Sequence, residues 1–239
     1  MIMEYIDTVK TELMEWDREM MKRPHMFNRM SKNVQTKLNS YIPEKVHKAI
    51  TAIIREMIKA VLLGSKYTTQ SPVLNISLKE RDEKADTVVL NYSYAAAAEG
   101  GITGAAGFVA SLADFPLFLS IKIKMLYSIA AVYGFDLNDL KERIFLLHIF
   151  ELAFSGKQNR KQVYLKIKNW KEHSKFLSED VNDFDWRKFQ QEYRDYLDLA
   201  KIAQLLPIIG APVGFFANRS LTSKLGKTAK NAYRLRILE

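Results

Sequence analysis

The chain has 239 residues, 48% hydrophobic and 26% charged, a balance that excludes a wholly disordered protein and allows a substantial core. With only 10 Gly and 6 Pro it is neither collagen-like nor a proline-rich linker, and the absence of cysteine excludes disulfides, thiol nucleophiles, thiolate-held clusters and Cys-ligated zinc. The net charge of +9 favours a polyanionic partner, lipid headgroups or nucleic acid. The opening residues carry Glu4, Asp7, Glu12, Glu15, Asp17 and Glu19, the reverse of a basic secretory n-region, so the amino terminus is expected in the cytoplasm.

Ile2, Ile6, Val9, Leu13, Trp16 and Met20 recur at three or four residues and predict an amphipathic helix that Pro24 ends. Pro43 suits the first position of a second helix, whose apolar residues run from Val46 to Leu62, with Gly64 placed to close it. Residues 65–77 read as a polar loop, with a weakly alternating piece at 73–78. Ser77 and Glu80 have capping-box spacing and start a helix through Val88, Val89 and Tyr92. After a break at Gly134, Asp136 is expected to cap a helix from Leu137, with Asp139 in its first turn, through Leu140, Ile144, Leu147 and Phe150. A basic helix is expected over 158–177, and another opens at Asp183 or Asp185 and continues to Ile202. The pattern predicts an all-α multi-helix bundle, one domain over 1–239, with amino-terminal helices at 1–64 and a core bundle plus basic terminal helix at 77–239.

Two stretches of small residues stand out. Between Tyr94 and Gly134, Ala96, Gly100 and Gly104 recur every four residues, as do Ala97, Gly101 and Ala105, with Gly107 beyond; in 202–217, Gly210 and Gly214 are four apart. Glycine within a helix costs about 1 kcal/mol relative to alanine. A cluster of them therefore points to close helix packing in a central Gly/Ala-rich hairpin, with Gly210 expected beside Gly104. Residues 102–121 have the length of a membrane span, but Asp114 lies within and Pro116 is expected to interrupt it; 202–217 is short and carries Pro207 and Pro212 as breakers. Close-packed core helices are the first expectation, and a re-entrant or interfacial hairpin the second. Gly101, Gly104 and Gly107 lack the preceding strand and the Lys-Ser/Thr of phosphate loops, so no nucleotide cofactor is expected.

The candidate catalytic groups are Glu99 and Asp114, the carboxylates that interrupt the most apolar part of the chain. They would serve as an acid/base pair or a headgroup clamp. Structurally, they would be buried and paired with Arg143 or Arg219, or Asp114 would cap a helix restarting at Phe115-Pro116. His25, His47, His148 and His173 form no metal-ligand motif; His148 and Glu151, three apart, read as a core hydrogen-bonded pair, and no metal is expected. Lys157, Arg160, Lys161, Lys166, Lys168, Lys171 and Lys175 form one basic cluster. Arg219, Lys224, Lys227, Lys230, Arg234 and Arg236 form a second, on a stretch whose other side carries Leu221, Leu225, Ala229, Ala232, Leu235 and Leu238. That is a basic amphipathic helix, and Lys224, Lys227, Lys230, Arg234 and Arg236 are the candidates for contact with an anionic membrane or a partner. Nucleic acid is not expected, since neither a helix-turn-helix nor a basic–aromatic signature occurs.

Several segments resemble the EcsC family of bacterial proteins. They are Ala98-Glu99-Gly100-Gly101-Ile102-Thr103-Gly104, Gly107-Phe108, Leu112-Ala113-Asp114-Phe115-Pro116, Tyr133-Gly134-Phe135-Asp136, Glu142-Arg143, Ile209-Gly210-Ala211, Asn218-Arg219 and the ending Arg234-Leu235-Arg236-Ile237-Leu238. The resemblance covers most of the chain, and the acidic first helix followed by Lys22-Arg23-Pro24 resembles Bacillus-type members. It implies a helical protein encoded beside the ATPase and membrane subunit of an ABC transporter, and it carries no catalytic role to any residue. The expectation is a non-enzymatic accessory protein at the cytoplasmic face of the cell membrane, with anionic lipid and ABC-transporter subunits as partners. The alternatives are a hydrolase-type enzyme acting on lipid or peptide through Glu99 and Asp114, and a soluble interaction scaffold.

Overall fold

A computed structural model describes residues 2–22, 44–63, 71–106, 108–156, 159–179 and 210–239. The expected features at Pro24, Pro43, Gly64, Gly107, Lys157 and Pro207, and the helix from Asp183 or Asp185, lie outside the described residues. Among those described there are eight helices and no strand, an all-α bundle.

The first helix, α1 (Ile2–Met21), buries Val9, Leu13, Trp16 and Met20, the core of its predicted stripe, while Met3 and Met14 point away from it. The next, α2 (Glu44–Leu63), buries Ile54, Met57, Ile58, Val61 and Leu62 at the same helical spacing. A capping box starts α3 (Leu78–Ala106) as predicted: the Glu80 carboxylate accepts from the Ser77 N–H at 2.8 Å, and the Ser77 hydroxyl accepts from the Glu80 N–H at 3.3 Å. The segment ahead of it is no strand; it lies along the end of α4 (Phe108–Val132), where Val73 N–H donates to the Ala131 carbonyl at 2.8 Å.

Gly134 ends α4 at φ 90°, a conformation that side chains with a Cβ disfavour. The Gly134 N–H reaches Ala131 and the Phe135 N–H reaches Ala130, both at 3.0 Å, the paired bonds of a Schellman turn. Arg81 of α3 completes this terminus by donating to the Val132 carbonyl at 2.7 Å and the Val73 carbonyl at 2.9 Å.

Four sequence expectations are corrected here. The helix after Gly134 is α5 (Leu140–Phe154), capped by Asp139, whose carboxylate accepts from the Lys141 N–H at 2.8 Å; Asp136 instead closes a turn on the Asn138 N–H at 2.9 Å. Pro116 does not interrupt α4. It stands on an exposed side of the helix, where a carbonyl freed by the missing N–H can be solvated, so Asp114 caps no new helix. Pro212 does not break the last helix, α8 (Gly210–Leu238), because it falls in the first turn, whose N–H groups lack intrahelical partners anyway. The basic segment is two helices, α6 (Arg160–Lys168) and α7 (Trp170–His173), separated at Asn169, followed by a tight turn at Ser174–Phe176.

The arrangement follows from pairs between helices. On α3 and α8, Asp82 meets Arg234, Asp86 meets Lys230, Val89 meets Gly226 and Ala96 meets Asn218, so the two run antiparallel. Their closeness depends on Gly226: a Cβ there would lie 2.4 Å from Val89 Cγ2. Helix α4 returns antiparallel to α3, since Arg81 and Asp82 sit beside Val132 and Tyr133. Helix α2 runs parallel to α4: the Tyr127 hydroxyl donates to the Val61 carbonyl at 3.1 Å, and Arg143 joins Leu62, at the carboxyl end of α2, to Leu137 and Asn138 just past the carboxyl end of α4. Helix α5 is buried almost all round, and α1 closes the other side with Trp16 edge-on to Tyr164 of α6 at 5.1 Å. The carboxyl end of α3 and the amino ends of α4 and α8 therefore meet at one end of the bundle, where the two small-residue stretches come together.

Candidate functional site

Beneath that end lies a polar layer contributed by α3, α4 and α8. Lys122 of α4 is fully buried. Side chains lean toward the amino end of their helix, which carries the Lys122 ammonium upward to the level of Glu99 and Asn218. Its Nζ donates to Asn218 Oδ1 at 2.7 Å and sits 3.2 Å from the centre of the Phe118 ring. The Asn218 Nδ2 group donates to Glu99 Oε2 at 2.7 Å and to the Ala96 carbonyl at 2.6 Å. An amide both accepts and donates, so Asn218 links a buried cation to a half-buried carboxylate that the two helices hold apart. Burial pushes the Lys122 amine well below its usual pKa, and the charge of Glu99 acts in the opposite direction.

Of the two carboxylates singled out in the sequence, Glu99 is in this layer, matched by Asn218 and facing Lys122. Its expected partners are engaged elsewhere: Arg143 donates to the carbonyls of Leu62, Leu137 and Asn138, and Arg219 stacks 4.7 Å from the Tyr94 ring. Asp114 lies within α4, and its side chain is outside the description. Gly100 is buried; Gly104, Gly210 and Gly214 lie in the ends of α3 and α8 that form the tip, and Gly107 is outside the described residues.

The basic face expected on α8 is largely turned inward. Arg234 is buried, holding Asp82 through Nε at 3.0 Å and Nη2 at 2.9 Å, and Glu12 through Nη1 at 2.7 Å. Asp82 also accepts from the phenols of Tyr5, at 2.6 Å, and Tyr133, so one carboxylate ties α1, α3, the end of α4 and α8 together. Burial, aided by the Asp82 hydrogen bond, raises the Tyr5 pKa to about 12. Arg236 makes two bonds to Glu142, at 2.6 and 2.8 Å, with its guanidinium 4.1 Å from the Phe135 ring and 4.4 Å from Phe145. Lys230 pairs with Asp86 at 2.5 Å, and Lys224 donates to the Ala153 carbonyl at 2.7 Å. Lys227 is exposed, on a charged groove of about 640 Å³ between α1 and α8 that Glu12, Glu15 and Glu19 line from the other side.

His148 and Glu151 form the buried pair the sequence suggested, at 2.8 Å. Among the described residues, no group of three or more His, Asp and Glu is placed to hold a metal ion, and no helix is long and apolar enough to cross a membrane. Sequence reasoning missed Lys122, Asn218, Asp82 and Gly226. Lys122 had a partial signal, one of two cations, with Lys124, in the apolar run around Leu119, Ile123, Leu126 and Tyr127; the other three depend on the pairing of α3 with α8.

The model of the EcsC protein family matches residues 7–238. The chain is 46% identical over 229 residues to Protein EcsC of Bacillus subtilis strain 168, covering 95% of this chain and 94% of that protein. It is also 25% identical, over 249 aligned positions, to the uncharacterized protein YdbA of the same strain, covering 95% and 91% of the two chains. No solved structure matches it. With nearly its whole length matched by the family model, and with a relative of almost the same span, the chain belongs to the EcsC family.

Proposed function

We propose that the protein is a non-enzymatic accessory protein acting peripherally at the cytoplasmic face of a membrane, with an ABC-type transporter or secretion machinery as its partner. The observation that carries this reading is the tip where α3, α4 and α8 end. From Gly100 to Ile121 and from Gly210 to Asn218, Asp114 is the sole charged residue. Ile102, Leu117 and Phe216 are 74%, 55% and 65% exposed there, an apolar surface of the kind that marks an interaction site. Beyond Glu99, α3 extends for only about 10 Å. That suits interfacial insertion to a depth of about 5–10 Å and falls well short of a hydrocarbon core of about 30 Å. Lys124 is exposed and Arg219 partly so below the tip, positions suited to headgroup contact. The match between Glu99 and Asn218 favours a structural carboxylate over a hydrolytic one. The transporter setting comes from the family resemblance and adds the partner class.

Vesicle co-sedimentation tests the reading. Binding to anionic vesicles should persist in part at high salt, because insertion is not screened, and should be lost in Ile102→Asp/Leu117→Asp/Phe216→Asp. Wild-type protein that ignores vesicles, or a triple variant that binds as wild type does, refutes it.

A further inference from the structure

Just below the tip, α2 and α4 are separated by an apolar slot of about 370 Å³ lined by Ile53, Met57, Val61, Pro116, Leu119 and Ile123. We propose that this slot takes up one acyl chain of a membrane lipid, an inference that rests on the tip lying in the bilayer interface. Size selects the occupant. The lining of α2 from residue 52 to residue 61 advances about 13 Å, so the slot is a channel roughly 6 Å across. A helix is about 10 Å wide, and a segment of that length would fill on the order of 1,000 Å³. A partner helix does not fit; a row of methylenes, touching its walls at carbon–carbon distances of about 4 Å, does. The length also corresponds to most of one leaflet, half of the roughly 30 Å hydrocarbon core.

Position and polarity agree. Because α2 runs parallel to α4, the end of the slot at Ala52 and Pro116 is the end nearest the tip, so a chain would enter from the side that faces lipid. One edge of the slot follows the four-residue row Ala52, Glu56, Ala60, and Lys48 continues that row one turn closer to the tip. An exposed cation at this point suits a lipid phosphate, while Ser120 and Glu56, the latter paired with Lys59 at 3.0 Å, provide the slot's polar margin.

The test titrates monomeric lysophosphatidylglycerol, below its critical micelle concentration, into the full chain by calorimetry. One lysolipid per chain is expected. Ala52→Trp and Ala60→Phe, which fill the slot, should each weaken binding at least about tenfold. The Asp-substituted tip variant should keep lysolipid binding while losing vesicles, so failure of the slot and failure of the membrane reading are separable. A lysolipid spin-labelled at its chain end should broaden the Met57 methyl resonance of the wild-type chain and leave that of Met14 on α1 sharp, a readout that needs no slot variant to fold. Absence of binding, unchanged affinity in both filled variants, loss confined to the tip variant, or a sharp Met57 resonance overturns the proposal. So does a dimer that dissociates in the filled variants with no lysolipid bound.

Discussion

Lys122 and Asn218 touch each other, yet removing one should have a very different effect from removing the other. Changing Lys122 to Met keeps much of the side-chain volume and removes the cation's desolvation penalty, leaving Asn218 Oδ1 without its donor, at about 1–3 kcal/mol. These opposing effects should place Lys122→Met within about 2 kcal/mol of wild type. Asn218→Leu removes the Oδ1 acceptor of the buried ammonium and the Nδ2 donor to Glu99; breaking a buried charged contact in this way costs about 3–5 kcal/mol. At about 2–4 °C per kcal/mol for a chain of this size, that is a melting temperature lower by roughly 6–20 °C. The pH dependence is a second signature. The folded-state pKa of Lys122 lies well below its ordinary 10.5, so at pH values between the two the unfolded chain holds more protons. Stability should therefore rise with pH across that window, and this rise should vanish in Lys122→Met. Thermal melts from neutral to alkaline pH decide the matter. Equal destabilisation by the two substitutions, or the same alkaline slope with and without the amine, would refute the account of Lys122 as a costly buried cation held by Asn218.

Gly226→Ala should destabilise by roughly 1–2 kcal/mol in chemical denaturation, because the new methyl collides with Val89 and overpacking outweighs the gain in helix propensity; a neutral or stabilised variant would mean that α3 and α8 part easily. The α3–α8 register, in which Asp82, Asp86 and Ala96 face Arg234, Lys230 and Asn218, continues to place Gly104 level with Gly210. Cysteines at those two positions should crosslink under mild oxidation, and failure to do so would break the expected small-residue pairing at the tip. Lys227→Glu should leave the melting temperature nearly unchanged, whereas Arg234→Glu should cost about 3–5 kcal/mol of stability by setting a carboxylate against Asp82, both read in thermal melts. Two variants of equal stability would show that Arg234 is not the internal anchor described.

What the sequence made legible was local. The stripe of α1 and the Ser77–Glu80 box depend on residues within a turn or two of one another, and both formed as read. The start of α5 was misplaced by three residues because Asp136 and Asp139 are both competent caps, and α5, buried nearly all round, has no polar face to fix its phase. Pro116 was read by a rule for isolated helices, and packing carried α4 through it. Glu99 was found by its anomaly, a carboxylate among small apolar residues. Lys122 carries a weaker anomaly just past the apolar stretch 102–121, because Lys124 stands two residues beyond it and only packing tells the buried cation from the exposed one. Asn218 carries none, since an asparagine becomes informative only when a cation and a carboxylate stand on either side of it.

The cations of α8 show why a charge stripe read from one helix is an incomplete argument. Lys230 and Arg234 are four residues apart, as are Asp86 and Asp82 in the opposite direction along α3, and antiparallel packing turns these matching intervals into two interhelical ion pairs. The stripe that suggested a membrane-facing surface is thus partly the fastening between two helices. Charges spent internally leave Lys224 and Lys227 exposed and Arg219 half-buried among the cations of α8, with Lys224 donating to the Ala153 carbonyl and Arg219 stacked on Tyr94. An electrostatic mode through α8 alone then has few free charges to act with. Any strong membrane affinity must come chiefly from apolar contact at Ile102, Leu117 and Phe216, which makes salt resistance, rather than dependence on lipid charge, the property that distinguishes the mode of attachment.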